Sequence, residues 1–265
     1  MYLMLLQVAL SQWSNKLYAS CVLMKRFCFP DNVSKDRRYS YHLLRQCYII
    51  GIGSLAIVLL ASFFLGMIFT FQVAKELKYL NATQLVGSVL TATFVRELSP
   101  VLTAVIITGR IGSAFTAEIA AMKVTDQIDV LVALNIDPFD YLIKPRVWAC
   151  LLLLPVLNML ALAAAICSSI FVGSMLYQIP PIVFVMSSSS SLYLLDLLCS
   201  SIKAMVFGFI IGIVSCSWGM TSSRGSSSVG RSTTSSVVTI LLIIFVVDFI
   251  LSFFMFRAAG ILVSR

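Results

Sequence analysis

Five long apolar runs dominate the chain, and the first, from Tyr48 to Val73, holds no charged residue in 26 positions. At about 1.5 Å per helical residue it reaches about 39 Å, enough to cross a bilayer with some tilt. Four more follow, at about 84–109, 147–177, 192–220 and 237–256. Only 11% of residues are charged, against about 25% in a soluble domain. The expected fold is an all-α membrane protein, with an N-terminal interfacial helix and five transmembrane helices.

Several function classes drop out early. The chain contains neither a Gly-x4-Gly-Lys-Ser/Thr loop nor a GxGxxG, so it lacks the usual means of holding a nucleotide. A single histidine, His42, argues against a histidine-based metal centre or triad within one chain. The seven cysteines are scattered, with no CxxC, and read as small buried hydrophobes. Lys and Arg number 19 against 11 acidic residues. Without a basic stripe interleaved with aromatics, that excess reports membrane topology rather than nucleic-acid binding.

Residues 1–45 read as an amphipathic helix followed by a basic connector. Lys16, Lys25 and Arg26 lie to one side of Trp13, Tyr18 and Phe27, and Lys35, Arg37, Arg38 and Arg45 follow. Met1–Leu10 is apolar but lacks a charged start and a cleavage site, so no cleaved signal peptide is expected. Gly51, Gly53 and Gly66 suggest close helix approach in the first span. After the second span, Gly109, Ser113, Ala117 and Ala121 recur every four residues, a small-residue face suited to packing within the chain. Residues 118–140 form a charged segment with a short amphipathic helix near Val124–Val132, ending near Asp137-Pro138. Pro155 interrupts the third span; Ile179–Pro181 and Ser187–Ser191 read as an uncharged loop, and Thr221–Ser236 as a polar one.

The basic residues alternate between sides. The first 47 residues hold seven Lys/Arg, the loop between spans two and three holds four and that between spans four and five holds two. The opposing loops hold two and none. The positive-inside rule therefore groups the N-terminus, 110–146 and 221–236 on the cytoplasm-equivalent side.

Arg96, Glu97, Lys203 and Asp248 sit inside apolar surroundings. Each costs about 2.5–3.5 kcal/mol at mid-bilayer on insertion scales, so each needs the protein interior or a wet cavity. Two readings stand side by side. Glu97 pairs with Lys203 across helices beside a cavity for a charged headgroup, or these charges satisfy helix ends and interhelical contacts without a ligand.

At these residues the sequence resembles a known family. RELSPVLTAVIITGRIGSAFTAEIAAMKVTDQID, followed by NIDPFDYLIKPRVWA, is similar to the core of the MlaE-type permeases. These are membrane subunits of ABC lipid transporters in bacteria and of the plastid-envelope trigalactosyldiacylglycerol importer. GSLAIVLLASFFLGMIFTFQ before it, and SSSVGRSTTSSVV with VVDFIL after it, extend the likeness over about 50–255. Around 222–236 the chain departs, with serines where relatives have Gly, Ala and acidic residues, though Gly230, Arg231, Thr233 and Thr234 stay in place.

The resemblance implies a permease domain over 46–265, in a homodimer that works with two ATPase subunits and an MCE-domain substrate-binding protein. It binds no cofactor of its own, ATP being held by the ATPase, and is not an enzyme. The segment 118–140 would couple to the ATPase through Asp126, Asp129, Glu118 and Lys123. Glu97 first, then Arg96, Lys203 and Arg231, would line the lipid path. The compartment implied is the plastid inner envelope or a bacterial inner membrane. An ATP-independent secondary transporter or channel, or a membrane scaffold, is the competing class; the odd span count and the one-sided polar segments speak against the transporter.

Overall fold

The computed structural model describes residues 16–26, 37–223 and 225–263. The expectations for 1–15 and 27–36, and for Arg224, lie outside the described residues. The described chain folds as helices: α1 (16–26), α2 (Arg37–Tyr79), α3 (Thr83–Val124), α4 (Gln127–Ala133), α5 (Phe139–Tyr177), α6 (Pro181–Ser191), α7 (Leu194–Met220) and α8 (Ser226–Val263). Five of them, α2, α3, α5, α7 and α8, are long and apolar enough to cross a membrane. Large apolar side chains stand exposed along α2 at Ile52, Leu60, Phe64, Ile68 and Phe71, as a lipid-facing surface requires.

Several boundaries differ from the sequence reading, for one recurring reason. Pro181–Ser191 is a helix and not a loop, and α8 begins at Ser226, well before 237. In both, hydroxyls donate back to carbonyls three or four residues earlier. Ser188 bonds Phe184 O, Ser190 bonds Ser187 O, Thr233 bonds Val229 O and Thr234 bonds Gly230 O. A Ser/Thr-rich sequence looks like a loop to a hydropathy scale, yet its hydroxyls fold onto the helix backbone and present less polarity outward. Pro181 at the first turn of α6 costs no hydrogen bond there. The helix α2 runs past Val73, the end of the first apolar run, to Tyr79, and α5 continues through Pro155.

The chain divides into two compact units. The first comprises 1–50, 107–151 and 208–243. Its core joins Ile119, Ile128, Phe139, Ile143, Val147, Ile213 and Cys216, with Leu23 of α1 packed against it. α1 is further fixed by an ion pair between Arg26 and Asp137, by the Arg26 guanidinium over the Phe139 ring, and by Ser217 Oγ donating to Lys16 O. α4 is short because left-handed residues bracket it, Asp126 (φ 56°) before and Asn135 (φ 57°) after. Asp and Asn are the side chains that tolerate that conformation best. The amphipathic helix therefore begins at Gln127, and Val124 belongs to α3 instead. On the small-residue face, a Cβ built on Gly109 meets nothing within 4 Å among the described residues and Ala121 is exposed, so none of the described residues closes over Gly109 as the sequence suggested.

The second unit comprises 51–106, 152–207 and 244–265. Val86, Leu90, Phe94 and Val95 of α3 pack with Leu162 and Ala165 of α5 and Phe184 of α6. At Gly66, α2 and α5 come so near that an added Cβ would lie 2.5 Å from the Ala165 carbonyl, so only glycine fits.

Candidate functional site

The site is built on a widened turn. Residues Phe94–Leu98 of α3 form a π-helical turn, a rare feature that often marks functional positions. Such a turn opens its carbonyls to side chains more than an α-turn does, and Arg96 O accepts a hydrogen bond from Lys203 Nζ at 2.8 Å. Lys203, on α7, is 2% exposed. A buried ammonium is tolerated only when its charge and its protons are both met. Its nitrogen also donates to Ser252 Oγ (2.7 Å) and Glu97 Oε2 (3.1 Å), and lies 3.2 Å from Asp248 Oδ1. Ser252, on α8, in turn donates to Glu97 Oε2 at 2.9 Å.

Arg96, next to Glu97, takes a different partner. Its Nε and Nη2 meet the two carboxylate oxygens of Asp196, each at 3.1 Å, in a two-pronged pair. Adjacent helical residues point about 100° apart, so the neighbouring opposite charges are each satisfied from another helix rather than by one another. A turn further along α3, Ser99 Oγ donates to Asn158 Oδ1 (2.7 Å), and Asn158 Nδ2 donates to Ser200 Oγ (2.9 Å). This buried relay links α3, α5 and α7 immediately beside the ions.

Of the residues singled out from sequence, the structure thus brings together Arg96, Glu97 and Lys203. Arg231 is not in this cluster. It lies in the first unit, on an open groove lined also by Gly230, Thr234, Ser235 and Val238. Nearby, burial first and then the Arg231 charge hold the Lys16 ammonium below the usual lysine range. Lys123, Asp126 and Asp129 line one small pocket with Val124, Ser222 and Ser223, and Lys123 Nζ bonds Asp129 at 3.1 Å. Glu118 is separate from them. It binds the buried Arg146 at 2.8 Å, and that guanidinium also stacks over Phe115. Asp196, Ser252 and the Asn158 relay were missed: Asp196 sits near the start of a span, and a lone Ser or Asn within an apolar run does not show which helix it meets.

Membrane helices carrying a packed, ion-paired centre invite comparison with known proteins. The family model described as "Permease MlaE" matches residues 43–254. The chain belongs to the MlaE permease family.

Among its relatives is a "Probable ABC transporter permease protein ycf63" of Pyropia yezoensis, 48% identical over 97% of both chains. A "Probable ABC transporter permease protein slr1045" of Synechocystis is 44% identical over 95% of both. "Protein TRIGALACTOSYLDIACYLGLYCEROL 1, chloroplastic" of Arabidopsis thaliana is 42% identical over 86% of this permease and 65% of the Arabidopsis protein. The permease is therefore a multi-pass membrane protein and a transporter subunit, not an enzyme.

Proposed function

We propose that this permease is the membrane subunit of an ABC transporter that moves polar lipids between membranes, driven by a separate ATPase subunit. The observation that carries it is the buried Lys203 centre, with Glu97 and Arg96 about a third exposed at its edge, inside the membrane helices of an MlaE-family chain. A scaffold would gain nothing from charges that cost so much to insert. The likeness to the chloroplastic Arabidopsis protein favours a plastid inner envelope membrane, with a bacterial inner membrane as the other setting.

In this reading two copies of the permease enclose a lipid path lined by Glu97, Arg96, Lys203 and Arg231. The segment bearing Glu118, Lys123, Asp126 and Asp129 rests on the ATPase, and an MCE-domain protein hands lipid on. The surface of α4 suits such a contact, since exposed Val130, Val132 and Leu134 accompany the carboxylates of Asp126 and Asp129. ATPase closure then moves α4 and shifts the balance between two states of the path.

The test is purification from the native membrane in mild detergent, with subunit stoichiometry and bound-lipid analysis. Two permeases with two ATPases and a polar lipid support the proposal; a lone, lipid-free chain in a membrane containing ATPase candidates sinks it. Glu97→Ala should abolish lipid transport with assembly intact. The double substitution Asp126→Lys with Asp129→Lys should release the ATPase.

A further inference from the structure

Between α3 and α5 the chain carries α4 on two thin joints, the left-handed residues Asp126 and Asn135. Breaks of that kind transmit force poorly along the backbone, so a push on α4 reaches α3 and α5 through side chains. Ile128 supplies part of that path, packed with Ile119 of α3 and with Phe139, Ile143 and Val147 of α5. Lys123 and Asp129 add an exposed tie from α3 to α4. Across the neck of the loop, Arg146 of α5 meets two residues on one face of α3. It donates to Glu118 Oε2 at 2.8 Å and lies over the Phe115 ring, 5.3 Å from its centroid.

Arg146 differs from the other ties in being buried and incompletely bonded. The residue is 6% exposed, yet it meets Glu118 through Nη2 alone. Its Nε and Nη1 are buried with no hydrogen-bond partner among the described residues. Well-packed apolar side chains stabilise such a place as well as an ion pair does, or better, so stability does not account for a half-bonded guanidinium here. A guanidinium matches a carboxylate in pairs, Nη2 with Nε along one edge and Nη2 with Nη1 along another. The Glu118 side chain, 56% exposed, has room to swing onto either edge. The pair therefore has two discrete arrangements, with one prong and with two.

We propose that Arg146 is a positioning residue for transport: it clasps α3 to α5 across the α4 loop, closing from one prong to two as the ATPase moves α4. Both helices then follow α4 together. This rests on the reading of α4 as the element that meets the ATPase. Without the clasp α4 swings on its own joints, and ATP is hydrolysed with little lipid moved. Glu118 acts through Arg146, and a lysine in place of Arg146 keeps the charge but cannot offer paired prongs.

The experiment uses the complete complex of permease, ATPase and MCE-domain protein, purified from its native membrane. It is placed in donor vesicles of radiolabelled total polar lipid from that membrane, with unlabelled acceptor vesicles. Lipid transferred per ATP hydrolysed is the readout. Arg146→Lys should lower that ratio about tenfold while ATP hydrolysis stays within about twofold of wild type. Glu118→Gln should lower the ratio similarly, and the double variant should lower it no further. A merely structural role would reduce hydrolysis and transfer in proportion and leave the ratio unmoved. An unmoved ratio in Glu118→Gln, an exposed change that spares the core, overturns the inference, as does full additivity in the double variant. If instead Asp126→Lys with Asp129→Lys keeps the ATPase bound and the ratio at the wild-type value, the docking of α4 is overturned, and the clasp with it. A wild-type complex that hydrolyses ATP but transfers no lipid overturns the transport reading itself.

Discussion

Lys203 and Asp248 stand 3.2 Å apart as an ion pair whose geometry falls short of a hydrogen bond. The three N–H groups of the lysine point elsewhere, so Asp248 Oδ1 meets it through charge, and removing the lysine strands two carboxylates together. Lys203→Met should lower stability by about 3–5 kcal/mol, the range for breaking a buried pair from one side. Thermal unfolding in detergent checks this. Adding Glu97→Gln and Asp248→Asn to Lys203→Met should recover most of the loss; a single variant as stable as wild type would contradict the account.

The Asn158 relay makes a smaller claim. Asn158→Leu removes the side-chain acceptor of Ser99, whose hydroxyl keeps the Asn158 backbone carbonyl, and removes the donor to Ser200, leaving that buried hydroxyl oxygen short of a partner. The expected loss is about 1–3 kcal/mol, read from the same melting curves, with no change in subunit stoichiometry.

Two glycines should respond in opposite directions. Gly66→Leu forces a side chain into Ser168 and the Ala165 backbone, and should cost about 1–3 kcal/mol or more. Gly109→Ala adds a methyl to open space within a helix and should gain about 0.5–1 kcal/mol. If both variants melted alike, the distinction between a closed and an open face would be lost.

Arg26 ties α1 to the segment after α4 through Asp137 and Phe139. Exposed pairs contribute under about 1 kcal/mol, so Arg26→Ala should leave the melting point nearly unmoved. A spin label on the exposed Cys21, with the other cysteines replaced, should nevertheless gain mobility.

Docking of α1 should also follow pH. Lys16 binds its proton less tightly in the folded chain than when free, because of burial and then Arg231. Docking is therefore weakest while both states are protonated, and tightens as pH rises through the folded value towards the free one. The Cys21 label should become less mobile over that alkaline interval, and Lys16→Gln should flatten the response.

Much of this was legible in the sequence, for identifiable reasons. Five apolar runs became five spans because length and hydropathy leave little choice in lipid. Glu97, Lys203 and Asp248 stood out because charge in a span must find charge. What escaped is what hydropathy does not encode. Serines on α6 and at the start of α8 read as loop, since a scale scores the hydroxyl and not the carbonyl it turns back upon. Asp196 lies near one end of a span, and nothing in the sequence aims it at Arg96. Val124 and Ile128 share a helical period, but the left-handed backbone at Asp126 divides them between two helices.

Among the described residues the π-turn at Phe94–Leu98 has two counterparts, at Thr108–Gly112 and Phe139–Ile143, and each of the three carries charge: Arg96 with Glu97, Arg110, and Asp140. A π-turn amounts to one residue inserted into a helix, advancing everything beyond it by about 100° about the axis. Deleting a single residue from 94–98 would thus leave composition and hydropathy almost untouched while swinging the rest of α3 onto another face. In this protein the lengths of three short stretches decide which face of each helix the residues beyond them present.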